Sequence, residues 1–76
     1  MRILELGAFN GFDSSRLSKY CDELVAIEAR EINCEYIKKR NIPNLTLIQA
    51  NLETYDIRSL GLFDVIVARG ILSGTP

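Results

Sequence analysis

Seventy-six residues bound the chain to at most one small domain. Apolar residues are 47% and charged residues 25% of it, which excludes an intrinsically disordered segment and a fibrous repeat. Nine basic against ten acidic side chains leave a net charge of −1, so no basic field is available for non-specific binding to nucleic acid or anionic membrane. The uninterrupted apolar runs fall far short of the ~20 residues a membrane span needs. Met1 is followed at once by Arg2 and a strand-like run, which is not the pattern of a signal peptide. Cys21 and Cys34 form no Cys-x-x-Cys pair, and there is no histidine, so zinc sites and Cys/His nucleophilic arrangements are excluded. Both cysteines read as small buried apolar residues in a reducing cytosol.

Arg2 to Leu6 (RILEL) is a short strand-like run bounded by Gly7, and GAFNGFD after it is a turn. Asp13 or Ser14 can cap a helix over about Ser15 to Cys21, with Leu17, Tyr20, Cys21 and Leu24 near one face. Leu24 to Ile27 (LVAI), ending at Glu28, has the continuous apolar pattern of a strand covered on both faces. A second helix is expected from about Arg30 to Arg40, with Ile32, Tyr36 and Ile37 as its apolar stripe and Asn41 and Pro43 as its stop. The Lys38, Lys39 and Arg40 cluster at its end reads as a solvated terminus, since no aromatic residue interleaves the charges. Leu45 to Gln49 (LTLIQ) is a third strand, Leu52 to Leu60 one or two helical turns, and Phe63 to Ala68 (FDVIVA) a fourth strand. Tyr36 and Tyr55 read as packing residues.

Strands alternating with helices imply a parallel sheet with right-handed crossovers, and in such a sheet ligands bind beyond the carboxyl ends of the strands, where strand order reverses. Those ends carry Gly7 to Gly11, Glu28 to Ala29, Asn51 to Leu52 and Ala68 to Gly70. Glycines after the first strand let backbone N–H groups approach a ligand closely. Glu28 can accept both hydroxyls of a ribose, or sit as a carboxylate at the start of the second helix. Glu5 can serve the ligand, or pair with Arg2 or another cation. Asn51 can meet the edge of a purine. A dinucleotide site requires G-x-G-x-x-G, whereas here the spacing is G-x-x-x-G with Phe9 at the middle glycine, where its side chain would crowd a pyrophosphate. Glu5 beside the loop suits a cationic sulfonium or ammonium group better than a diphosphate.

ILELGAFNG, VAIEARE, LIQANLE and FDVIVARGIL, in this order and at these spacings, resemble the successive motifs of class I S-adenosylmethionine-dependent methyltransferases. The resemblance runs from Arg2 to Leu72 and implies S-adenosylmethionine as cofactor. It implies that Gly7, Ala8 and Gly11 line the methionine moiety with backbone and that Glu5 sits under it, holding its amino group through water. Glu28 would bind the ribose hydroxyls, Ala29 would pack on the adenine, Asn51 and the Leu52 backbone would meet the adenine edge, and Ala68 to Gly70 would close the methionine side. Asn51 stands where the family usually has aspartate, and Ala-Arg-Gly-Ile-Leu-Ser replaces the Asn/Asp-Pro-Pro-Tyr/Phe motif of enzymes that methylate amino groups of bases or glutamine. The resemblance names neither a methyl acceptor nor a catalytic base.

The family's sheet has strand order 3-2-1-4-5-7-6, so the chain is expected to form a partial, Rossmann-like α/β sheet of order 3-2-1-4. It would be the N-terminal part of one domain, a three-layer sandwich incompletely covered. Both outer strands would be open edges, and only the Leu52–Leu60 segment could cover the second face, which predicts self-association or a need for the missing C-terminal half. Two other readings are an NAD- or nucleotide-binding Rossmann half and an adenosyl-binding fragment without chemistry.

Overall fold

The computed structural model describes residues 1–68, and Arg69, Gly70, Ile71 and Leu72 lie outside the described residues. Four strands, β1 (Arg2–Leu6), β2 (Glu23–Glu28), β3 (Leu45–Gln49) and β4 (Val65–Val67), form one sheet in the order β3-β2-β1-β4. Every pairing is parallel, with Leu4 of β1 opposite Val25 of β2 and Ile66 of β4, and Ala26 of β2 opposite Leu47 of β3. The expected order and direction are those observed. Parallel neighbours need a crossover, and here helix α1 (Phe12–Leu17), helix α2 (Glu31–Lys39) and a short 3-10 turn at Ile57–Leu60 supply it.

Both faces of the central strands are covered. Ile3, Leu4 and Glu5 are all buried, as are Leu24 to Glu28, which accounts for unbroken apolar runs in place of strict alternation. On one face Ala26 and Ala8 pack with Ile37 of α2 and with Leu45 and Leu47. On the other, Leu4, Val25 and Ile27 meet Ile48, Leu52, Tyr55, Ile57, Leu60 and Phe63. The 52–63 segment thus covers more of the second face than a few turns of helix would suggest. Arg2 fastens it: its guanidinium pairs with Glu23 at 2.7 Å, donates to the Leu60 and Leu62 carbonyls at 3.1 and 2.9 Å, and lies 4.5 Å over the Phe63 ring.

Three local expectations need correction. Helix α1 begins at Phe12, not Ser15, with Gly11 as its N-cap in the left-handed region at φ 86° and no side-chain cap. The Asn10 side chain takes the Phe12 N–H, and Ser14 turns inward instead of capping. The buried face of α2 is Cys34 and Ile37, while Ile32 and Tyr36 are exposed, because Gly11 and Ala8 press against the helix on the Ile37 side. Strand β4 is three residues long, not six. Ahead of it Asp64 bonds Arg2 through its side chain and its N–H, which closes the ladder at that end. Both cysteines are free; Cys34 is buried but Cys21 only half so, and burial pushes both thiols up.

Candidate functional site

The loops at the carboxyl ends of β1, β2 and β3 converge on an open cleft of about 350 Å³. Five of the residues singled out from sequence line it: Gly7, Glu28, Ala29, Asn51 and Leu52. Phe9 lines it as well, with its side chain about half exposed and its backbone in the left-handed region at φ 54°. A bulky residue there is strained, and such strain persists only where surrounding bonds fix it. Two fix it here. The Gly7 N–H donates to the Ile27 carbonyl at 2.8 Å, and the Phe9 N–H donates to Glu28 Oε1 at 2.8 Å.

Glu28 is therefore a hub. Besides Phe9, it accepts the Arg30 N–H and the Asn33 side-chain amide on Oε2, each at 3.0 Å. The carboxylate joins the first loop to the start of α2, so the helix-terminal reading of this residue describes its protein contacts. A carboxylate oxygen has two lone pairs, and among the described residues Oε1 takes only the Phe9 bond, which leaves its second for a ligand hydroxyl.

Asn51 folds its own loop. Its Oδ1 accepts the Glu53 N–H at 2.9 Å, and its carbonyl accepts from Thr54 and Tyr55. This Asx turn brings Glu53 to the rim of the cleft beside Ala50 and Ile27. The sequence reading passed over these three; the two-residue spacing of Asn51 and Glu53 is the signal that could have found Glu53.

Four other candidates lie outside the cleft. Ala8 is in the core against Ala26 and Ile37. Gly11 is buried against α2, where an added Cβ would stand 3.0 Å from both Ile37 and the Arg40 stem. Ala68 follows β4. Glu5 sits in the middle of the sheet, 2% exposed, accepting a 2.5 Å hydrogen bond from the Ser14 hydroxyl. Arg2 is committed to Glu23 and is not its partner. Burial pushes the Glu5 carboxyl above its usual range, the Ser14 bond pulls it back, and the Asp13 and Glu28 charges push it further up.

Among the described residues no cluster of His, Cys, Asp or Glu is placed to hold a metal ion, and no helix is long and apolar enough to cross a membrane. The chain as a whole superposes closely on solved structures. EvdMO1 superposes with a TM-score of 0.86 at 33% identity, over 97% of this chain and 19% of its own. The chain has the 3-2-1-4 part of the class I methyltransferase fold. The N-terminal domain of EvdMO1 with SAH bound matches at 34% identity and TM-score 0.80, over 87% of this chain and 30% of that one. A TehB-like SAM-dependent methyltransferase from Corynebacterium glutamicum matches at 27% and 0.79, over 96% and 39%. The chain thus spans between about a fifth and two-fifths of the lengths of these proteins. No protein-family model matches it, and neither does any curated protein sequence.

Within that methyltransferase fold, Phe9 bears on the choice between ligands. Its side chain lies at the cleft, and a diphosphate on the first loop would meet it. A Phe9 side chain turned away from the loop would have favoured the dinucleotide reading.

Proposed function

We propose that the chain is the cofactor-binding part of an S-adenosylmethionine-dependent methyltransferase acting in a reducing cytosol on an acceptor still to be identified. The observation that carries this reading is the cleft: backbone from Gly7, one buried carboxylate at Glu28, and apolar surface from Ala29 and Leu52, in the fold of proteins of which one holds SAH. Its size falls in the range of small-molecule sites, about 300–1,000 Å³. The residues present fit an adenosyl group. Glu28 Oε1 accepts a ribose hydroxyl with its remaining lone pair, while Phe9 and Arg30 hold the carboxylate still. Ala29 and Leu52 flank the adenine, and Asn51 Oδ1, which already holds the Glu53 N–H, has one lone pair left for the adenine amine, without the charge of an aspartate. Gly7 offers backbone to the methionine end, and Glu5 supplies the negative charge beneath it.

Bound in this cleft, S-adenosylmethionine supplies an electrophilic methyl group for transfer to a nucleophile, a reaction that gains most from proximity and orientation. The contribution of this chain is the orientation. The part of the domain that shapes the acceptor side lies beyond it, or a second copy pairs with the open sheet edge.

An amide NMR titration of the 76-residue chain with S-adenosylhomocysteine tests the reading. Shifts confined to Gly7, Phe9, Ala29 and Asn51 are expected. A folded spectrum with no response overturns it, and a response to NAD but not to S-adenosylhomocysteine replaces it with the dinucleotide reading.

A further inference from the structure

We propose that Ser14 is a positioning residue for the cofactor, its buried hydroxyl fixing the Glu5 carboxyl below the first loop, from where, outside the cleft lining, it acts on the cationic ammonium of the methyl donor. This inference rests on the cofactor reading above. Glu5 is the penultimate residue of β1, two residues before Gly7, and Ser14 lies three residues after Gly11, so their hydrogen bond joins the strand that enters the first loop to the helix that leaves it. Both side chains are enclosed, Glu5 at 2% exposure and Ser14 at 0%. A carboxylate so far from water strongly favours its neutral form, and a neutral carboxyl does not attract an ammonium group.

The surroundings make Ser14 the counterweight. Its register partners Ala26 on β2 and Val67 on β4 bring Glu5 no charge. From α1 it feels Asp13, and from the end of β2 it feels Glu28, both of which oppose its ionisation. The hydroxyl donates to Oε1 at 2.5 Å and acts in the other direction. A hydroxyl is suited to this because it costs no buried cation of its own. It also turns its lone pair to the carboxyl proton once Glu5 is neutral, so the pair is satisfied in either state.

The test uses the full chain and two readouts, the carboxyl ¹³C titration of Glu5 and the affinity for S-adenosylhomocysteine as a function of pH. Ser14→Ala should move the Glu5 titration upward and weaken binding about tenfold at neutral pH, with the deficit growing as pH falls. Ser14→Thr, which keeps the hydroxyl, should restore both. In a Glu5→Gln background, which keeps the acceptor but not the charge, Ser14→Ala should change affinity less than about twofold, since the two residues act as one unit. An unmoved Glu5 titration in Ser14→Ala, or an equal loss of affinity in the Glu5→Gln background, overturns the proposal. Should Ser14→Ala not fold, Ser14→Cys provides a side chain of similar size with a weaker donor and the same expected direction. Absence of binding by the wild-type chain overturns the cofactor reading instead, while the Glu5 titration still decides whether Ser14 holds the carboxylate charged.

Discussion

Among the described residues Glu28 carries three protein hydrogen bonds on a side chain that is 5% exposed, and one of them helps hold Phe9 in a left-handed conformation that its side chain disfavours. Structure and ligand binding therefore draw on one carboxylate. Glu28→Ala leaves two backbone N–H groups and an amide without their acceptor, and is expected to lower stability by about 2–3 kcal/mol, read as a shift of the urea midpoint. A change within about 0.5 kcal/mol, the range of ordinary surface substitutions, would show that the first loop does not depend on it. Glu5 has the opposite relation to stability. Its carboxyl is raised above the usual 4.5 by burial. Between 4.5 and the raised value the Glu5 site binds more protons in the native state than in the unfolded one, so the contribution of Glu5 to stability is greatest below 4.5 and is lost as pH rises through the folded value. Glu5→Gln, which has nothing to titrate, should flatten this slope in denaturation curves collected across mildly acidic pH. An equally steep slope in the variant would assign the dependence to other carboxylates.

At the scale of elements, the strands were legible and the helix ends were not, for a common reason. Strands β1, β2 and β3 are set by apolar runs bounded by Gly7, Glu28 and Ala50, a pattern that no tertiary contact needs to modify. Helix ends depend on which polar side chain is free to cap. Asp13 and Ser14 have the right chemistry for an N-cap, but Ser14 is taken up by a buried carboxylate nine residues earlier, a pairing that exists only once β1 and α1 are packed. The start of α1 falls to Gly11, which alone tolerates φ 86°. The same packing divided the site. Gly7, Glu28, Ala29, Asn51 and Leu52 meet at the cleft because strand ends in a parallel sheet lie side by side, whereas Ala8 and Gly11 are turned to α2, and periodicity does not reveal which way a loop residue faces. Gly11→Ala is the corresponding prediction. It combines a left-handed backbone with a Cβ 3.0 Å from Ile37 and Arg40, and about 1–3 kcal/mol of destabilisation is expected. Because Gly11 is outside the cleft, the affinity of the folded fraction for S-adenosylhomocysteine should change little. A selective loss of affinity at unchanged stability would instead place Gly11 at the ligand.

For the whole molecule, the two outer strands are unequal. Strand β3 alternates half-buried Leu45, Leu47 and Ile48 with exposed Thr46 and Gln49, so its free edge is largely polar. Strand β4 is short and apolar, with Val65 at 40% and Ile66 at 57% exposure, and among the described residues its outer backbone pairs with no other strand. An apolar edge with open N–H and C=O groups is a template for another strand. Either a further strand of a longer domain or a second copy would satisfy it, and the 76-residue chain in solution has only the second at hand. Association at micromolar concentrations is expected, and Ile66→Lys should suppress it by placing a charge on the edge without touching the cleft. Sedimentation velocity of both proteins across a hundredfold concentration range, paired with the S-adenosylhomocysteine titration of each, separates the two surfaces. A wild-type chain that stays monomeric throughout would remove β4 as an association edge, and an Ile66→Lys chain that loses its ligand response would mean that edge and cleft are one structural unit.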